Sequence, residues 1–303
     1  MATSKKEITV VLLGKTGYGK SSTGNTLLGA YRFEESNSMS SISKTVVDYS
    51  NEDKDCRWRV YDTRGLMDVE KETPYEDFLS ICEDITKLMQ ICKEHSSHIT
   101  VFLLVFTFIN KFSCEDKKSV EWIETIFGKT FFENHCIIVL TREDCFDGNL
   151  DNWLQKQTGE FANLVKRCKQ RVVPVCNKDI DNNDKRREDS RKKLRSSIIE
   201  FKQPTWLCYT FDDYMKQSQE RNLALVELEL PILDVKYKQE ISSVRETRLK
   251  LKLKEEALNL HTRIGVLIED IKRKDNKTGL LDKYIEELEF EKAAIPLKSC
   301  KIF

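Results

Sequence analysis

The segment Gly14 to Ser21, GKTGYGKS, lies between an apolar run at residues 8–13 (ITVVLL) and a helix-compatible stretch at 21–28, and that order restricts what the chain can fold into. It is an unbroken G-x-x-x-x-G-K-S phosphate loop in a strand, loop, helix context. Gly14, Gly17 and Gly19 can take backbone angles closed to other residues, so successive N–H groups converge on phosphate oxygens at the positive end of the following helix. Tyr18 and Ser22 belong to the same nucleotide-binding run. Lys20 would neutralise the β- and γ-phosphates, and Ser21 would place a hydroxyl on Mg²⁺, a hard cation that prefers oxygen ligands. Lys15 falls outside the pattern and reads as a surface charge.

Further apolar runs at 58–61 (WRVY), 101–108 (VFLLVFTF), 136–140 (CIIVL) and 172–176 (VVPVC) alternate with helical segments such as 76–94 and 115–127. This is the rhythm of a parallel, doubly wound α/β sheet, in which ligands sit beyond the carboxyl ends of the strands. After 58–61 comes Asp62-Thr63-Arg64-Gly65, a D-x-x-G turn in which Asp62 would hold Mg²⁺ through water and the Gly65 N–H would meet the γ-phosphate. After 136–140 comes Thr141-Arg142-Glu143-Asp144, a loose N-K-x-D motif whose aspartate accepts from N1–H and the exocyclic amine of guanine; adenine, with an unprotonated N1, repels that acceptor. After 172–176 comes Asn177, placed to contact the base edge. Each motif is short, but four in order after four strands define the site.

Lysine plus arginine equal aspartate plus glutamate at 50 each, so no global field favours nucleic acid or an anionic membrane. The ten cysteines include no C-x-x-C pair, and the opening MATSKKE is not a secretory signal, so a cytoplasmic protein with reduced thiols is expected. The longest apolar run is far shorter than the roughly 20 residues that span a bilayer. His95 and His98 lack a carboxylate or cysteine set at ligand spacing and are assigned no metal. Trp122 and Phe127 are assigned to core packing, on a helix whose apolar positions cover more than one stripe.

The block GKTGYGKSSTGNTLLG, the DTRGL turn, FSCEDKKSVEWIETIFG and the TRED loop together resemble the immunity-associated nucleotide-binding GTPases, the GIMAP or IAN family, over residues 6 to about 205; chloroplast import receptor GTPases and septins are more distantly similar. The resemblance implies a P-loop GTPase fold, a three-layer α/β/α domain at 6–210 with a mostly parallel sheet. It also implies GTP and GDP with Mg²⁺ as cofactors, dimerisation or oligomerisation through the nucleotide face, slow hydrolysis and a role in immune cells or membrane-associated scaffolding. The chain departs from the family at several positions. Arg64 replaces the proline of D-T-P-G. Leu66 stands where Ras-like proteins carry a water-orienting glutamine, and leucine cannot do that work. Lys111 stands where some members carry an arginine that a dimer partner could supply, so it is a candidate catalytic group without the bidentate guanidinium fork. In switch I the family's S-V-T-K aligns with residues 41–44, which makes Ser43 the Mg²⁺-sensing hydroxyl, with Thr45 as the rival.

A C-terminal helical extension is expected over 211–295. Leu249, Leu253, Ala257, Leu260, Ile264, Ile268 and Ile271 recur at helical spacing, and the stretch from Asn276 to Gly279 should separate them from a shorter helix carrying Leu281, Tyr284, Ile285 and Leu288. Such helices fold back on the first domain or pair as a coiled coil. The tail 296–303 ends in Cys300-Lys301-Ile302-Phe303, a C-a-a-X box that would geranylgeranylate Cys300 and offer a membrane contact, although Lys301 departs from the aliphatic pattern. Three functions fit the residues: a slow GTPase switch, a GTP-dependent scaffold with negligible turnover, and an ATP-using P-loop enzyme. Asp144 counts against the third.

Overall fold

A computed structural model describes residues 5–34, 46–63, 74–96, 98–178, 185–251, 254–276 and 278–295. The predicted alternation of strands and helices forms a six-stranded sheet in the order β2-β3-β1-β4-β5-β6. Strand β1 (Lys6–Leu13) lies at its centre, parallel to β3 (Cys56–Asp62) and β4 (Val101–Thr107), and β5 (Cys136–Thr141) and β6 (Val172–Val175) continue the parallel order. Side chains alternate faces along a strand, so a strand covered on both sides must be apolar throughout. In β1, Val11 and Leu13 enter one core while Ile8, Val10 and Leu12 enter the other.

The first core is covered by α2 (Pro74–His95), α3 (Cys114–Phe127), α4 (Phe131–His135), α5 (Leu150–Gln155) and α6 (Gly159–Arg167), and the second by α1 (Lys20–Leu28) and α7 (Arg186–Lys202). Phe127 is buried and stacks on Phe131 at 4.2 Å between ring centroids, and half-buried Trp122 packs beside Phe78, which gives both the core role expected of them.

Strand β2 (Val47–Glu52), VDYSNE, is absent from the sequence reading. It runs antiparallel to β3 at the sheet edge and is half-buried at best, so it needs no apolar run to form. Its Asp48 accepts from Arg59 at 2.8 Å, a cross-strand ion pair in place of an apolar face.

The chain divides into a unit at 1–215 and a second at 216–303. In the second, α8 (Phe211–Leu249, counted here from 216), α9 (Lys254–Asp275) and α10 (Asp282–Ala293) bury Tyr237, Ile241, Leu260, Ile264, Ile268 and Leu288 against one another. The predicted interruption after Asp275 is present. There the Asp275 carboxylate accepts from the N–H groups of Gly279 and Leu281 and so closes the turn. Among the described residues no helix is long and apolar enough to cross a membrane.

Candidate nucleotide-binding site

The carboxyl ends of β1, β3, β5 and β6 bring the predicted residues together. Gly14 leaves β1 so close to β4 that a Cβ would sit 2.5 Å from the Val105 carbonyl oxygen, a position that excludes any side chain. Gly19 is the N-cap of α1 with φ 88°, and the helix has neither a side-chain cap nor an acid in its first turn. Its leading N–H groups and positive dipole end are therefore left for an anion. Lys20 is buried, and its ammonium donates to the Lys15 carbonyl at 3.0 Å, arching back over the loop.

Ser21 and Asp62 meet beneath that lysine. The serine hydroxyl donates to Asp62 Oδ2 at 2.5 Å, while Asp62 Oδ1 is buried with no hydrogen-bond partner among the described residues. Burial pushes the Asp62 carboxyl above its ordinary value, and the Ser21 hydrogen bond and the Lys20 charge only partly oppose this. A buried carboxylate with an idle oxygen beside a hydroxyl is a hard-oxygen donor set of the kind Mg²⁺ accepts. Among the described residues no three His, Cys, Asp or Glu side chains cluster as metal ligands. Ser43, Thr45, Gly65, Arg64 and Leu66 lie outside the described residues, as does Cys300.

Thr141 holds the loop, and Asn177 holds the helix that follows it. The Thr141 hydroxyl is buried and donates to the carbonyls of Tyr18 at 2.8 Å and Phe106 at 3.1 Å, tying the phosphate loop to β4. The Asn177 amide donates to Thr23 Oγ1 at 3.1 Å and accepts from Thr26 at 2.8 Å, so its side chain is held on α1. Arg142 is exposed with φ 62° and opens the turn Glu143–Cys145 that carries Asp144. Asp144 pairs with Lys178 at 3.1 Å. Burial by itself would raise this carboxyl, but the hydrogen bond and charge of Lys178 outweigh it and hold the group below the usual carboxylate range. Asp144 is thus an ionised acceptor just beyond the end of β5.

Lys15 corrects its reading as a surface charge. Its side chain is only 12% exposed and pairs with Glu115 at 2.7 Å and Asp116 at 3.4 Å at the start of α3. The Tyr18 hydroxyl donates to the same buried Asp116 carboxylate, and desolvation together with that negative charge lifts the phenol to about 12. Asp116 also completes a capping box with Ser113. The S-C-E-D spelling signals that cap, but the partners lie 98 residues away in sequence, where no local pattern reveals them. Lys111 is exposed on the loop before α3.

Comparison with known proteins gives this constellation its lineage. The chain is 31% identical over 226 residues to immune-associated nucleotide-binding protein 10 of Arabidopsis thaliana, covering 73% of this chain and 46% of that protein. It is 28% identical over 197 residues to GTPase IMAP family member 8 of Homo sapiens, covering 64% of this chain and 27% of the relative. The chain therefore spans about half or less of these relatives. Among solved structures, Toc33 from Arabidopsis thaliana in complex with GDP and Mg²⁺ aligns with a TM-score of 0.52 at 22% identity, over 68% of this chain and 88% of Toc33. A dimerization-deficient Toc33 mutant aligns with a TM-score of 0.51 at the same identity, over 67% of this chain and 87% of that one. These likenesses establish the P-loop GTPase fold. The AIG1 family model matches residues 8–228, and the chain belongs to the AIG1 family.

Proposed function

We propose that the chain is a guanine-nucleotide-dependent switch that binds GTP and GDP with Mg²⁺, hydrolyses GTP slowly and associates with a second copy across its nucleotide face. The observation that carries this reading is the convergence of Lys20, Ser21 and the idle oxygen of Asp62 at the uncapped end of α1. Lys20 offsets phosphate charge, and the N–H groups of the loop and first turn bind the phosphate oxygens. Ser21 and Asp62 would hold Mg²⁺, which when bound neutralises charge on the phosphates. Asp144 would accept from the guanine edge while Lys178 keeps it ionised. Thr141 keeps the loop against β4, and Asn177 is held on α1 beside it.

Slow turnover rests on Leu66, which cannot orient water, and on Lys111, an exposed point charge that a partner could bring to the site. The immune-associated names and the nucleotide-bound and dimerization-deficient Toc33 structures support the same class of protein. Prenylation of Cys300 would add a weak membrane contact, since one lipid chain anchors poorly. A GTP-dependent scaffold with negligible hydrolysis is the second reading, favoured by Leu66 alone.

Asp144→Asn tests the base assignment, with an expected shift of preference from guanosine to xanthosine nucleotides in calorimetric titrations. Retained GTP affinity with no such shift removes Asp144 from the base site. GTP turnover per molecule that rises with protein concentration supports the switch, and its absence under dimerising conditions supports the scaffold.

A further inference from the structure

A cavity of about 250 Å³ lies on the far side of the phosphate loop, between the end of β4, the start of α3 and α6. Its walls include the rings of Tyr18, Phe106, Phe112, Trp153 and Phe161, and neither Lys20, Ser21, Asp62 nor Asp144 lines it. Phe106 lies 5.7 Å from Phe112 and 6.1 Å from Phe161 between ring centroids, tilted at 44° and 80°. The rings therefore do not close on one another in a single stack. An apolar cavity of about 150 Å³ is enough for benzene, so this one has room for two fused rings. Its polar lining comprises Thr107, Asn110 and Gln157, groups that hydrogen-bond without carrying charge, together with the charged Lys111 and Asp116.

The nearby charges select against an ion. Lys111 and Asp116 line the cavity, and Lys15 and Glu115 stand behind Asp116, giving two cations and two carboxylates. The Asp116 carboxylate is already engaged by the Tyr18 hydroxyl, by the Ser113 N–H and hydroxyl, and by Lys15. Aromatic walls, balanced charge and uncharged hydrogen-bonding groups together suit a flat, neutral molecule.

We propose that this cavity binds a neutral, planar, fused heteroaromatic ligand of about two rings, packed between the aromatic walls with its edge atoms on Oε1 of Gln157, whose amide N–H is held by the Trp153 carbonyl at 3.0 Å, and on the part of the Asn110 amide that the Tyr18 hydroxyl does not take. The probe is indole, added to the full chain in the absence of nucleotide and followed by saturation-transfer NMR. Binding in the millimolar range or tighter is expected, with intermolecular NOEs to ring protons of Phe106, Phe112 and Phe161. Gln157→Trp, outside the phosphate and base positions, fills the cavity and is expected to abolish the transfer while the chain stays folded by circular dichroism. No transfer to the intact chain, transfer undiminished in the folded variant, or NOEs confined to other residues overturns the proposal. Should the variant fail to fold, the NOE map alone decides.

Discussion

The helical unit satisfies its buried acids, and the sheet unit does the same for Asp116 but not for Asp62. In the helical unit Glu291 is 3% exposed and accepts from Arg245 at 2.8 Å and Arg248 at 2.7 Å, while Asp275 is consumed by the N–H groups of the turn it closes. In the sheet unit Asp62 keeps one buried oxygen idle and its carboxyl is pushed up by burial. A buried polar group left without a partner costs roughly 1–3 kcal/mol, so a fold tolerates it where something else repays it. The helical unit's acids are satisfied within that unit, whereas the idle oxygen of Asp62 is the one that the proposed Mg²⁺ would use. An idle atom is not enough by itself, however. His135 Nδ1 is also buried with no partner among the described residues, yet it lies just before β5, at the end of the sheet away from the phosphate loop.

The largest expected effect is at Lys20. Its ammonium donates to the Lys15 carbonyl within the phosphate loop itself, and in the proposed function it is the charge partner of the phosphates. Lys20→Ala should weaken nucleotide binding by about 2–5 kcal/mol, roughly thirtyfold to several-thousandfold in Kd. Calorimetry showing near-normal affinity would remove the phosphate role and erase the contrast between the units.

His135 separates an idle atom that serves stability from one that serves a ligand. Burial, with the Lys202 ammonium adding to it, lowers its pKa from 6.5 to about 4. Below pH 6.5 the unfolded chain takes up a proton that the folded chain refuses, so stability present above pH 6.5 is lost on acidification, by up to about 3 kcal/mol at pH 4. Urea unfolding at pH 7 and pH 4.5 checks this. His135→Phe, among Phe131 and Tyr209, should flatten that acid slope and leave nucleotide affinity unchanged. An unchanged slope would mean that other groups set the acid limit.

Glu291→Gln addresses the satisfied side of the contrast. It removes the charge from two hydrogen bonds, but Arg245 is 48% exposed and its share is screened, so a loss of about 1–2 kcal/mol is expected. The readout is the urea midpoint of the full chain. A neutral result would mean that Glu291 contributes no more than an exposed pair.

How far the sequence reveals this contrast depends on distance along the chain. The phosphate loop, the five parallel strands and the helical break after Asp275 are legible because glycine placement, apolar runs and turn residues act locally. Strand β2 is not legible, because an edge strand held by backbone pairing and the Asp48–Arg59 ion pair carries no apolar signature. Asp144 is readable from its motif, but the Lys178 that keeps it ionised is not, and Lys15 looks like a surface charge until α3 is brought against it. The idle oxygen of Asp62 has no sequence signature at all, since a D-x-x-G turn shows that an acid is present and not whether its oxygens are occupied.

The smallest expected stability effect is therefore the most informative. Above its elevated pKa, Asp62 is ionised in the fold against the opposition of burial, so the ligand-free chain loses stability as pH rises through the ordinary carboxylate range. Asp62→Asn retains an acceptor for the Ser21 hydroxyl and removes the buried charge, so the ligand-free urea midpoint should stay within about 1 kcal/mol of the parent or rise. The same change removes the oxygen that would hold Mg²⁺, so the gain in nucleotide affinity that Mg²⁺ gives the parent should disappear. A substitution that costs no stability yet cancels the metal response identifies a residue kept for its ligand. If Asp62→Asn instead destabilises the chain as much as Glu291→Gln and retains the Mg²⁺ response, Asp62 is a structural acid like Glu291 and the distinction between the two units fails.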